Sequence, residues 1–170
     1  NNKWIFVDVK GNEYEKAIDK TEYGQDTLID KFKSIRYNGK YAAIDYMGNM
    51  FAQGYDDMGP FNSCEKNNSF EYAIVVKNKK YGILRSDGKE SVELKYDEIE
   101  INTICDFMAL VTSKEKKGFI DINTGAEIIP VVYDEVYAMS NDSKDVCYAA
   151  KNGKYALLTK RGKPITDFIF

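Results

Sequence analysis

Residues Lys80 to Ile99 set a pattern that the rest of the chain repeats in degraded form. Tyr81-Gly82-Ile83-Leu84 is a short apolar run suited to a buried strand. Ser86-Asp87-Gly88-Lys89 signals a tight turn, because Asp bonds its own backbone and Gly accepts positive φ. Val92, Leu94 and Tyr96 then alternate with polar neighbours, the period of a half-buried strand. The pattern returns around Tyr41-Ala42-Ala43-Ile44-Asp45, Gly118-Phe119-Ile120-Asp121 and Tyr155-Ala156-Leu157-Leu158, and Trp4-Ile5-Phe6-Val7-Asp8 begins it. The residues after the aromatic slot (Ile5, Ala42, Gly82, Gly118, Ala156) stand 37, 40, 36 and 38 residues apart. From each turn glycine to the following Tyr slot, filled by Ile18, Tyr55, Tyr96, Tyr133 and Phe170, the distance is 7 or 8 residues. A period near 38 residues is that of solenoids, propellers and arrays.

A third strand precedes each hairpin after the first: Phe32–Ile35, Tyr72–Val76, Met108–Val111 and Val146–Ala149. Asn38-Gly39, Asn78-Lys79 and Asn152-Gly153 link it to the next strand as tight hairpin turns. The expected fold is all-β, one domain over 1–170, built as a tandem array of about five three-stranded antiparallel meanders at roughly 1–22, 28–60, 70–100, 106–137 and 145–170. An open, twisted, solenoid-like array is preferred; a closed five-bladed β-propeller is the alternative, disfavoured because a blade has four strands. Thr21 to Phe32 has weak helical spacing. A single small sheet cannot bury its apolar face, so neighbouring units must stack.

Aromatic–Gly–x–Ile–Asp, a turn with Gly, then Ile-Ile-Pro and Tyr-Asp resembles the WG (KWG) repeat family of bacterial proteins. Gly118-Phe119-Ile120-Asp121, Gly125, Ile128-Ile129-Pro130 and Tyr133-Asp134 match best. The family's Trp survives at Trp4; Tyr replaces it at Tyr41, Tyr81 and Tyr155, and Lys117 stands there in the fourth unit. The resemblance implies a β-rich tandem array and no particular activity. It implies a bacterial protein; the compartment is not readable from the residues, and bacterial cytoplasm and export as part of a longer chain both stay open.

Composition removes several chemistries. The chain has 170 residues, 44% hydrophobic and 30% charged, which suits a soluble domain with a real core. It has no His, which excludes His-based triads and metal sites. A net charge of −3 without a basic face argues against nucleic acid. No apolar run approaches the roughly 20 residues of a membrane span. Cys64, Cys105 and Cys147 are odd in number and lack Cys-x-x-Cys spacing, so they read as small buried residues. No cofactor is expected. The chain does not begin with Met and shows no signal peptide, so it reads as a mature form or a fragment.

Asp8, Asp45 and Asp121 recur after the second strand, and Asp19, Asp56, Asp97 and Asp134 after the third. Calcium ligation or acid/base work are the functional readings; backbone bonding at turns is the structural one, and repetition once per unit favours it. By the same logic Tyr55, Tyr96, Tyr133 and Phe170 are core plugs. Tyrosines off the pattern, namely Tyr37, Tyr46, Tyr137 and Tyr148, are the candidate binding residues, because aromatics on a β surface anchor protein partners or stack on sugars. Glu93, Lys95, Glu98 and Glu100 read as a solvated face or edge protection. The expected function is a non-catalytic module that binds protein or peptide through an extended β surface. The alternatives are a carbohydrate or cell-envelope module and, last, an enzyme using carboxylates.

Overall fold

The computed structural model describes residues 5–7, 10–16, 31–63, 71–101, 108–138 and 146–169. The described residues are all-β, in antiparallel sheets of three to five strands that run as meanders, and no sheet closes into a barrel. The chain divides into two compact units, Asn1–Glu90 and Ser91–Phe170.

In the first unit, β1 (Ile5–Val7), β2 (Glu13–Lys16), β3 (Phe32–Tyr37), β4 (Lys40–Asp45) and β5 (Met50–Tyr55) lie side by side in chain order. After β6 (Asp57–Met58) and β7 (Asn62–Ser63), β8 (Glu71–Lys77) pairs with β9 (Lys80–Arg85) along one edge and with β6 and β7 along the other. Ile35, Ala42 and Ile44 form a buried cluster with Met50 against it. Strand β10 (Glu90–Tyr96) carries the chain from the first unit into the second.

In the second unit, β11 (Glu98–Ile101), β12 (Met108–Ser113), β13 (Lys116–Asp121) and β14 (Glu127–Tyr133) form one sheet in chain order. Next come β15 (Glu135–Ala138), β16 (Val146–Lys151) and β17 (Lys154–Thr159). The segment after β17 touches it through the bridges Leu158↔Pro164 and Tyr155↔Ile169. One side of the β11–β14 sheet, with Leu110, Phe119 and Ile129, packs against Val136, Cys147 and Leu158 of the β15–β17 sheet. Burying such side chains stabilises each by about 1.5–3 kcal/mol.

The units expected to hold three strands carry a further short one that the sequence reading did not separate: β6, β11 and β15 follow Tyr-Asp and pair with the first long strand of the next unit. Phe32, where the weak helical spacing ends, opens β3 instead. Trp4, Asp8, Ile18, Asp19, residues 21–30, Cys64, Cys105 and Phe170 lie outside the described residues.

The hairpin turns have the geometry the dipeptides demand. Both central residues have positive φ in each: Asn38 and Gly39 (50° and 76°), Asn78 and Lys79 (52° and 61°), Lys114 and Glu115 (49° and 62°), Asn152 and Gly153 (53° and 74°). That is the type I′ pattern, matched to the twist of the flanking strands. Lys and Glu pay a steric penalty in this region, so the turn at Lys114-Glu115 needs outside support.

Candidate functional site

The repeated aspartates supply that support. The Lys114 amide donates to Asp97 Oδ2 at 2.7 Å, Asn78 to Asp56 Oδ2 at 2.7 Å, and Asn152 to Asp134 Oδ2 at 2.6 Å. In each case the Asp following a Tyr plug holds the next turn at its first left-handed residue. The Lys40 and Lys116 ammonium groups bond the remaining carboxylate oxygens of Asp56 and Asp134. The preceding tyrosine goes the other way, into the core: Tyr55, Tyr96 and Tyr133 are 5%, 3% and 8% exposed. Tyr-Asp therefore works in two directions, with a ring for the interior and a carboxylate for the next turn along the chain. The aspartates after the second strand serve their own turns. Asp45 Oδ1 accepts from the Met47 and Asn49 amides, and Asp121 Oδ1 from Asn123 and Thr124. Where Thr159 breaks the row, its hydroxyl accepts from the Lys163 amide instead.

These carboxylates are engaged in backbone support, and among the described residues no group of three or more Cys, Asp or Glu could hold a metal. The Lys116 hydrogen bond, then the Asn152 amide, hold Asp134 below the ordinary aspartate value of 3.8; Lys40 and the Asn78 amide do the same for Asp56. A lowered carboxylate favours the folded state above its unfolded pKa and loses that contribution as pH falls through the folded value. The thermal midpoint is therefore expected to drop on acidification from about pH 5 to about pH 2. The double substitution Asp56→Asn with Asp134→Asn flattens that drop; an equally steep drop in the variant rules the aspartates out as its source.

The candidate tyrosines separate into three places. Tyr37, 39% exposed, ends β3 beside the Asn38-Gly39 turn, and Tyr46, 72% exposed, lies past the far end of β4. Strand β4 separates them, so they form no common site. Tyr137 and Tyr148 do come together, as a direct cross-strand pair of β15 and β16. Their rings stack at 5.3 Å between centroids and 17° between planes. Tyr155 on β17 joins them at 5.7 Å from Tyr148. The Tyr148 hydroxyl donates to Glu135 Oε2 at 3.1 Å; burial by its neighbours, then this bond, raise its pKa.

The strand alternation explains the ridge. Val136, Cys147, Ala156 and Leu158 point inward, so Tyr137, Tyr148, Tyr155 and Leu157 share the outer side. Tyr137, Tyr155 and Leu157 are 45%, 48% and 37% exposed. Tyr155 and Leu157 were not singled out from sequence, because Tyr155 fills the aromatic slot of the repeat. The available signal was the alternation itself: a buried Ala156 and Leu158 force residues 155 and 157 outward.

The ridge is a row of stacked rings that stays part-exposed at Tyr137 and Tyr155. Tyrosines, with an apolar body and a polar tip, suit protein contacts. The neighbouring edges resist strand addition. Pro130 in the middle of β14 has no N–H to offer. On β17, Leu157 already donates to Thr166 Oγ1 at 3.0 Å and accepts from the Ile165 amide at 2.8 Å.

No protein-family model matches the chain, and no curated protein matches it. Among the described residues no helix is long and apolar enough to cross a membrane.

Proposed function

We propose that the chain is a non-catalytic interaction module of WG-like repeats that binds a protein partner through the outer side of the β15–β17 sheet. The tyrosine ridge supports this reading: three aromatic residues and Leu157 are gathered on one open sheet face. Tyrosine is enriched among residues that dominate binding energy at protein interfaces. The engagement of the recurrent aspartates in turns favours the same reading over carboxylate catalysis.

A photo-crosslinking amino acid placed at Tyr137 in the full chain tests it. The expected result is a discrete light-dependent adduct in cells. Tyr155→Ala with Leu157→Ala lowers its yield about tenfold or more, since interface anchors are each worth about 1–2 kcal/mol. A probe at Tyr46 gives no such adduct. Absence of any adduct at Tyr137, or one indifferent to the double substitution, removes the proposal.

A further inference from the structure

The second unit contains its own example of what covers such a face. Leu110 lies four residues before the turn residue Lys114, as Tyr148 lies four before Asn152; Phe119 and Leu157 each lie five after. Leu110↔Phe119 and Tyr148↔Leu157 are both direct cross-strand pairs. The two pairs therefore occupy the same place on successive sheets. Leu110 and Phe119 are 9% and 3% exposed because Val136, Cys147, Ala149 and Leu158 of the next sheet lie against them. Large side chains on one sheet meet mostly small ones on the other, as close packing requires. On the β15–β17 sheet the large side is open, and its ridge of tyrosines stands taller than Leu110. A tall ridge needs a covering surface of still smaller residues.

Strand addition does not fit here, since Leu157 has both backbone groups engaged. The face thus continues the stacking interface by which one sheet of this unit covers the other. We infer that its occupant is the small-residue side of another antiparallel β-meander, in a partner protein, carrying alanine, valine or cysteine at alternate positions and no charge at the centre. This rests on the protein-binding reading above and specifies the partner's chemistry.

The test supplies such a sheet. A copy of residues 134–170 is appended to the full chain, so that its Asp134 follows Phe170 as Asp134 itself follows Tyr133. The three face tyrosines of the copy are changed to phenylalanine, so every nitrated face tyrosine belongs to the original sheet. Tethering gives the copy a millimolar effective concentration. With tetranitromethane as the probe, nitration of Tyr137, Tyr148 and Tyr155 is expected to slow about tenfold or more, while Tyr46 reacts as before. Changing Cys147 and Ala149 of the copy to glutamate restores the original rates.

Unchanged nitration overturns the inference, and so does a copy that stays unstructured, because the face then fails to hold the sheet it should fit. Protection that rises with the concentration of the unextended chain also overturns it, by assigning the face to a second copy. If the Tyr137 photo-adduct persists while the appended sheet gives no protection, protein binding stands and the partner's chemistry is wrong.

Discussion

Tyr133→Ala is expected to lower folding stability by about 3–5 kcal/mol, the range for truncating a buried aromatic residue. Tyr133 is 8% exposed and belongs to the cluster that joins the β11–β14 and β15–β17 sheets. Its ring stacks on Phe168 at 6.0 Å and 17°. Truncation removes contacts on both sides and leaves a cavity that backbone on neighbouring sheets cannot easily close. Tyr133→Phe keeps the wedge and is expected to stay within about 1 kcal/mol of the parent, the worth of one hydrogen bond at most. Urea unfolding measures both: the midpoint of the alanine variant falls while the slope holds. A loss below about 1 kcal/mol for Tyr133→Ala would mean that the ring is not what binds these sheets together.

The reading of Tyr133 came from the sequence, and so did much of the scaffold. A residue that recurs once per unit does the same job in each unit, so its repetition is visible without coordinates. Tyr55, Tyr96 and Tyr133 are interior, and their Asp neighbours hold turns. Asn38-Gly39 and Asn152-Gly153 announce type I′ turns by residue type; Lys114-Glu115 has the same geometry without those residue types, and there Asp97, distant in sequence, accepts the Lys114 amide. The short strands were harder to see. In Glu98-Ile99-Glu100-Ile101 the glutamates read as solvated charge and are exposed, but the run reads as ending at Asp97-Glu98, whereas β11 pairs along its whole length with β12 and buries Ile99. Phe168, which the spacing did not single out, stacks on Tyr133.

The candidate site was half legible for a related reason. Tyr137 and Tyr148 stood out because they break the repeat. Tyr155 was hidden because it obeys it. Whether a face is covered depends on the neighbouring sheet, and no property of the residue itself reports that. Leu110 and Tyr148 hold the same offset, and one is buried while the other lies on an open ridge.

Gly118→Ala is expected to cost about 2–3 kcal/mol, in the upper part of the range for overpacking. A Cβ at Gly118 would meet the Ile129 carbonyl oxygen at 2.5 Å and the Pro130 carbonyl at 2.8 Å. Those are backbone atoms of β14, so relief requires the two strands to part. Alanine is nonetheless native in the same slot at Ala42. There the pairing partner β5 carries Gly54 at φ +90°, one residue before the Tyr plug, beside the register shift between Tyr41 and Ala42. On β14 the residue one before the plug is Val132, 42% exposed. The glycine has changed sides of the pair: on β5 it lets the partner backbone swing away, and on β13 it removes the side chain that would need the room. Val132→Gly in the Gly118→Ala background is therefore expected to recover about half of the lost stability, although glycine in a strand ordinarily costs about 0.5–1 kcal/mol. Urea unfolding of the two single variants and the double closes the cycle. Costs that simply add would show that the two positions do not share one bulge, and the close approach at Gly118 would then need another cause.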